Sequence, residues 1–146
     1  MPFRFSLAAV LKYREELEKR EERILEQRRE VLARLEAQLA ELKEQRLRWV
    51  AERTSLLERG ILGDDLHYAT EQIQRLDELE KEICRQAAAA MLDYEAQMKV
   101  FLVTRQKREI LDELKSTQKD SYNALQDRRE QQQIDEIFIA RMNRES

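Results

Sequence analysis

The sequence has very few residues that interrupt regular secondary structure. Its only proline is Pro2, and its only glycines are Gly60 and Gly63. Proline and glycine are the strongest local breakers of helices and strands, so a fold that needs many tight turns is excluded. The composition therefore favours long uninterrupted elements with a single break near position 62.

Residues that could carry chemistry are also scarce. Cys84 is the only cysteine and His67 the only histidine, so no internal disulfide can form and no cluster has the spacing of a metal site. Neither glycine belongs to a phosphate-binding loop, because "GILG" is not followed by Lys and Ser or Thr. We therefore expect no metal, no cofactor and no catalytic residue, and we predict that the protein is not an enzyme.

Long apolar runs and an excess of one charge are absent as well. No apolar run approaches the roughly 18 residues of a membrane span, and the N-terminal residues become charged too early for a secretory signal. The 27 basic and 30 acidic residues are interleaved and give a net charge of −3, which argues against a nucleic-acid partner. We expect a cytoplasmic protein without direct membrane insertion.

What the sequence does contain is typical of long amphipathic helices. Charged residues make up 39% of the chain and aromatic residues only 6%, and the commonest residues are good helix formers. Apolar residues recur at intervals of three and four from Ser6 to Arg59 and again from Leu66 onwards. Two sets in the first stretch recur every seven positions: Val10, Leu17, Ile24 and Val31, and then Leu35, Leu42, Trp49 and Leu56.

The two glycines predict the tip of a helical hairpin. Gly60 can adopt the left-handed conformation that closes a helix, with Ile61 folding back on Leu56 or Leu57, and Asp64 or Asp65 can cap the next helix. A short loop between two long helices makes them antiparallel neighbours. We predict an all-α fold with one domain over residues 1–146, formed by an antiparallel coiled coil of helix 1 (about 6–59), a turn (60–65) and helix 2 (about 66–143).

The second helix is predicted to overhang the first at its C-terminus. Residues past Ser121 have no partner in the hairpin, yet they carry an apolar stripe, so we expect this tail to be exposed or frayed alone and to become ordered in a complex. Two other apolar features have two interpretations each. Trp49 belongs to the helix seam or anchors a partner, and the run "MKVFLV" (98–103) thickens the seam or forms an exposed patch.

Both ends of the chain carry short motifs that point to a known family. The N-terminal motif is "FRFSLAAVLKYREELE", with Phe5, Leu7, Val10, Leu11, Tyr13, Arg14 and Glu15 at the characteristic positions. The C-terminal motif is "EQQQIDEI", with Glu130, Gln131, Asp135 and Glu136. In these motifs, and in length and hairpin layout over the whole chain, the sequence resembles the flagellar FliJ family of the type III export apparatus.

The resemblance implies a stalk that binds the hexameric export ATPase, promotes its assembly and activity, and contacts the cytoplasmic domain of the export gate, with export chaperones as further possible partners. It also implies peripheral association with the inner-membrane export apparatus. The residues expected to contact the ATPase ring are Leu7, Val10, Leu11, Arg14, Ile134, Ile137, Phe138 and Arg141. The residues expected to contact the gate are Gln38, Leu42, Gln45, Trp49, Leu76 and Leu79.

Several alternatives remain open at this point. The stalk of a virulence-type secretion system shares the architecture and differs in its partners. A generic coiled-coil scaffold or chaperone is a second alternative, although a prefoldin-like fold would need β-hairpins, and the sequence shows no strand-like alternation. An unsatisfied apolar stripe could also produce a homodimeric coiled coil.

Overall fold

A computed structural model describes residues 2–145 of the chain. It contains two helices, α1 (Ala8–Glu58, 51 residues) and α2 (Asp64–Glu145, 82 residues), and no strand within the described residues. The helices pack against each other and α2 is the longer one, so the predicted all-α fold of two long helices is confirmed. The chain divides into two compact units. We call residues 21–101 the loop unit, and residues 1–20 with 102–146 the terminal unit.

The turn in the loop unit closes α1 in the way that the glycines predict. Gly60 has a φ of 71°, its N–H donates to the carbonyl of Leu57 at 3.1 Å, and the N–H of Ile61 donates to the carbonyl of Leu56 at 2.9 Å. This pair of bonds defines a Schellman motif, which satisfies carbonyl groups left over at the helix end. Leu56 is buried beneath it.

The start of α2 differs in one detail from the prediction. Gly63, with a φ of 96°, accepts the first helical bond from the N–H of His67 at 2.9 Å, so this glycine occupies the cap position. Asp64 and Asp65 lie in the first turn instead, where their negative charges are favourable near the positive end of the helix dipole.

The helices of the loop unit run antiparallel. Arg46 of α1 pairs with Asp77 of α2, with 2.6 Å between Arg46 Nε and the carboxylate, and further along Gln97 donates to the carboxylate of Glu21 at 2.6 Å. Positions on α1 therefore fall as their partners on α2 rise. Ala69, Ile73, Leu76 and Ala90 are buried along this seam.

The terminal unit is also built from antiparallel segments. Arg108 of α2 donates to the carboxylate of Glu18 on α1, and the ring of Phe3 lies 5.7 Å from the ring of Tyr122. Phe5 and Leu11 are buried in this unit. Past Tyr122, α2 continues as a helix to Glu145, and all of its residues from 131 to 145 are exposed.

One of the predicted apolar sets lies only partly in the α1 seam, because Leu17 and Ile24 are half-buried whereas its two valines are exposed. Leu11, Leu25, Leu32 and Leu39 lie in the seam, whereas Val10 and Val31 are each 42% exposed beside it. The seam also includes Glu18, which continues the seven-residue repeat of Leu11 and Leu25. The hydrophobic pattern does not select the series of Leu11 and Leu25 because a glutamate interrupts it.

Candidate partner-binding surfaces

An apolar groove in the loop unit brings together half of the expected gate-contact residues. The groove has a volume of about 250 Å³ and is lined by Gln38, Glu41, Leu42, Leu79 and Ile83. Leu79 is 40% exposed, so it lies at the surface of α2 and not within the seam between the helices. The wall is mostly aliphatic with a carboxylate and an amide at its edge, an arrangement that suits a partner side chain with an apolar body.

Trp49 lies in the same unit, where it packs against a second aromatic ring. Its ring packs edge-on against the ring of Tyr68, with 5.4 Å between the ring centroids, and its side chain is only half-buried. Tyr68 is 54% exposed. Together these rings form an aromatic pair with accessible surface, and half-exposed aromatic residues of this kind are frequent anchors of protein interfaces.

The two other expected gate residues contribute less directly. Leu76 is 6% exposed, so it supports the surface from within the seam. Gln45 is half-buried and donates to the Oε1 of Glu41 at 3.2 Å, which orients the carboxylate at the groove. Sequence reasoning missed Tyr68, Glu41 and Ile83 as members of this surface. Tyr68 lies off the apolar stripe, so periodicity gives no signal for it.

The terminal unit holds all of the expected ring-contact residues, in two separate patches. In the N-terminal patch, Leu7 and Val10 are 36% and 42% exposed, whereas Leu11 is 5% exposed and packs inside the unit. The guanidinium of Arg14 lies 5.9 Å from the ring centre of Tyr13, which is itself 55% exposed. Tyr13 therefore adds an exposed aromatic ring to this patch. The hydrophobic pattern alone did not place Tyr13 there.

The second patch lies on the C-terminal tail of α2. Ile134, Ile137 and Phe138 are 59%, 56% and 62% exposed, and Arg141 is exposed beside them. Their spacing of three and four residues places them on one face of the helix. The patch begins twelve residues beyond Tyr122, about 18 Å along the helix, so it does not meet the N-terminal patch.

The tail patch does not continue the seam of the hairpin. The seam repeats every seven residues through Thr104 and Leu111, and the same repeat falls on Leu125 and Ile139 in the tail. Ile134 and Arg141 occupy the positions of this repeat that point away from the seam. The tail patch therefore faces away from the side of α2 that continues the seam.

A charged cluster joins the two segments of the terminal unit. Arg108 donates to both carboxylate oxygens of Glu18, at 2.5 and 3.1 Å, and to Asp112 at 2.6 Å. Hydrogen bonds to Glu18 and then to Asp112 raise the pKa of the Arg108 guanidinium above its usual value. The Arg108 guanidinium therefore remains charged at every pH at which a protein is handled.

The described part of the chain offers candidate surfaces for binding partners. Among residues 2–145, no group of three or more His, Cys, Asp and Glu side chains is arranged to hold a metal ion. Neither helix, over those same residues, combines the length and the apolar character needed to cross a membrane. What the geometry provides is an aliphatic groove with an aromatic pair in the loop unit and two apolar patches in the terminal unit.

A family of known proteins matches the chain over most of its length. The family model described as "Flagellar FliJ protein" matches residues 3–146, which is nearly the whole chain. No curated protein and no solved structure gives a significant match.

Proposed function

The chain belongs to the flagellar FliJ family, a component of the flagellar export apparatus, and from this premise we propose that it is the coiled-coil stalk of that apparatus. In this proposal it binds the export ATPase ring, promotes assembly and activity of the ring, and links the ring to the export gate. Export chaperones are a further class of partner that the proposal includes. The protein performs no chemistry of its own.

The exposed tail of α2 is the observation that carries the proposal. Ile134, Ile137 and Phe138 leave a large apolar area exposed to water. Burying that area against a partner would contribute about 25 cal/mol of free energy for each Å². Such an exposed patch marks an interaction site. The N-terminal patch of Leu7 and Val10 belongs to the same unit, so both candidate ring contacts are carried by the terminal unit.

The candidate gate surface belongs entirely to the loop unit. The groove around Leu42 and Leu79 and the Trp49–Tyr68 pair lie within residues 21–101. The two surfaces differ in composition, and neither includes residues of the other. This separation supports the proposal that the protein binds two partners.

A stalk of this kind acts through differential binding. If the terminal unit binds ring subunits more tightly in one nucleotide state than in another, it shifts their populations and changes the rate of hydrolysis without contributing a catalytic residue. A tenfold preference corresponds to about 1.4 kcal/mol, which an apolar patch of three large side chains can supply.

ATPase stimulation by truncated chains tests the proposal. A chain ending after Ser121 loses the tail and also Tyr122, whose ring contacts Phe3, whereas a chain ending after Gln126 retains that contact. We expect the full chain to stimulate the cognate export ATPase and both truncated chains to fail, with helical circular dichroism retained in each. Full stimulation by the chain that ends after Gln126 would remove the tail from the mechanism.

A further inference from the structure

The exposed tail carries a second pattern that is wider than the ring-contact patch. Its members follow each other at intervals of three and four residues and therefore share one stripe of the helix. Along the chain the stripe reads as two acids, two isoleucines and two arginines: Asp127, Glu130, Ile134, Ile137, Arg141 and Arg144. All six side chains are exposed.

The charges of this stripe are grouped by sign, acidic at one end and basic at the other. Asp127 and Glu130 are three residues apart, and so are Arg141 and Arg144; like charges at this spacing repel each other. Within residues 2–145, no ion pair engages any of these four side chains, although acids and bases pair at exposed positions elsewhere on the helices, as Arg105 and Glu109 do. The arrangement leaves an acidic end and a basic end on either side of an apolar centre.

We propose that this stripe pairs with the same stripe of a second copy of the chain, in antiparallel orientation. Residues whose numbers add up to 271 then lie opposite each other. Ile134 meets Ile137 of the second copy, Glu130 meets Arg141, and Asp127 meets Arg144, and the two-fold symmetry repeats each contact. The pairing is an isologous interface in which one stripe complements itself.

Charge selects the antiparallel orientation over the parallel one. In a parallel pair each residue meets its own equivalent, so Glu130 would face Glu130 and Arg141 would face Arg141. Like charges placed opposite each other are strongly unfavourable at an interface. In the antiparallel pair both ends of the stripe are attractive, and the two central isoleucine layers lose their exposure to water, with Phe138 flanking Ile134 at a spacing of four residues.

The inference does not depend on the proposed function, but it adds to it. Ile134, Ile137 and Arg141 are also expected ring contacts, so a tail that is paired with a second copy cannot bind the ring through the same stripe. Self-pairing would then keep the apolar centre covered until the ring replaces the second copy.

Charge exchange in the full chain tests the pairing. Sedimentation equilibrium gives the dimer dissociation constant for the wild-type chain, for Glu130→Arg, for Arg141→Glu and for the double variant that carries both. Each single change places like charges opposite each other at two symmetry-related sites, so we expect dimerisation to weaken about tenfold or more. The double variant exchanges the two signs and should dimerise nearly as well as the wild type.

The controls separate this pairing from folding effects and from general charge effects. Glu136→Arg makes the same change of sign on the other side of the tail helix, and it should leave the dissociation constant unchanged. Helical circular dichroism must be the same for all five chains. A wild-type chain that stays monomeric at every concentration, or a double variant no better than the single ones, would overturn the proposal.

Discussion

Arg108 of α2 donates two hydrogen bonds to the carboxylate of Glu18 on α1, although the two residues are 90 positions apart in the sequence. Both side chains are largely withdrawn from solvent, with 22% and 17% of their surfaces exposed. Asp112 holds the same guanidinium from one helical turn further on, at 2.6 Å. This bridge occupies one layer of the seam in the terminal unit and joins the two segments there.

Removal of Arg108 should destabilise the terminal unit. Arg108→Met leaves the carboxylate of Glu18 unpaired in a mostly buried position, and the expected loss of unfolding free energy in urea is about 2 to 4 kcal/mol. Arg105→Met is the matched control, because Arg105 pairs with Glu109 on a surface where both are about half exposed. Its expected effect is below about 1 kcal/mol. Equal losses for the two variants would show that the bridge has no special role.

The conformation of Gly60 predicts a graded series of substitutions. A Cβ at this position would meet no atom within 4 Å, so the cost of Gly60→Ala comes only from the left-handed backbone, at about 1 kcal/mol or somewhat more. Asparagine tolerates this conformation better, so Gly60→Asn should cost less. Thermal unfolding of the two variants gives the order directly, and an alanine variant as stable as the wild type would contradict the Schellman geometry.

The hairpin could be predicted from the sequence because its signals are local. Gly60 and Gly63 are the only interior breakers, and the left-handed cap at Gly60 follows from conformational freedom that no other residue type offers so cheaply. The exposure of the tail followed from the unequal lengths of the two helices. These features needed no knowledge of which residues meet across the seam.

The register of the seam could not be predicted because it depends on polar pairs that are distant in sequence. Glu18 lies in the seam because Arg108 satisfies it, and a hydrophobic pattern rejects such a position. The seam therefore buries Leu11 and leaves its neighbour Val10 exposed. Both residues had been expected to contact the ATPase ring. The Trp49–Tyr68 pair was missed for a similar reason, since Tyr68 lies outside the apolar stripe.

Amide hydrogen exchange should distinguish the tail from the hairpin. Residues 131–145 are all exposed, so their helical hydrogen bonds should open far more often than those of residues 70–95. We expect this difference in a dilute sample, in which no second copy covers the tail. Equal protection of the two segments under those conditions would show that the tail is not an exposed helix.

Trp49 offers a spectroscopic probe of the loop unit, because it is the only tryptophan of the chain. Its half-buried ring should change its fluorescence when the cytoplasmic domain of the export gate binds beside it. Trp49→Ala should weaken that binding by about 2 kcal/mol or more, as expected for an aromatic anchor. Leu47→Ala is the control, since Leu47 is 67% exposed and lies outside the groove around Leu42. A similar loss for both variants would remove the special role of Trp49.

We propose that the two compact units carry two separable binding surfaces. The most direct measurement is the affinity of three chains for the purified export ATPase and for the purified cytoplasmic gate domain: the wild type, Trp49→Ala, and the chain that ends after Gln126. We predict that Trp49→Ala loses affinity for the gate domain alone and that the shortened chain loses affinity for the ATPase alone. If either change weakens both interactions equally, or weakens neither, the assignment of one partner to each unit is wrong.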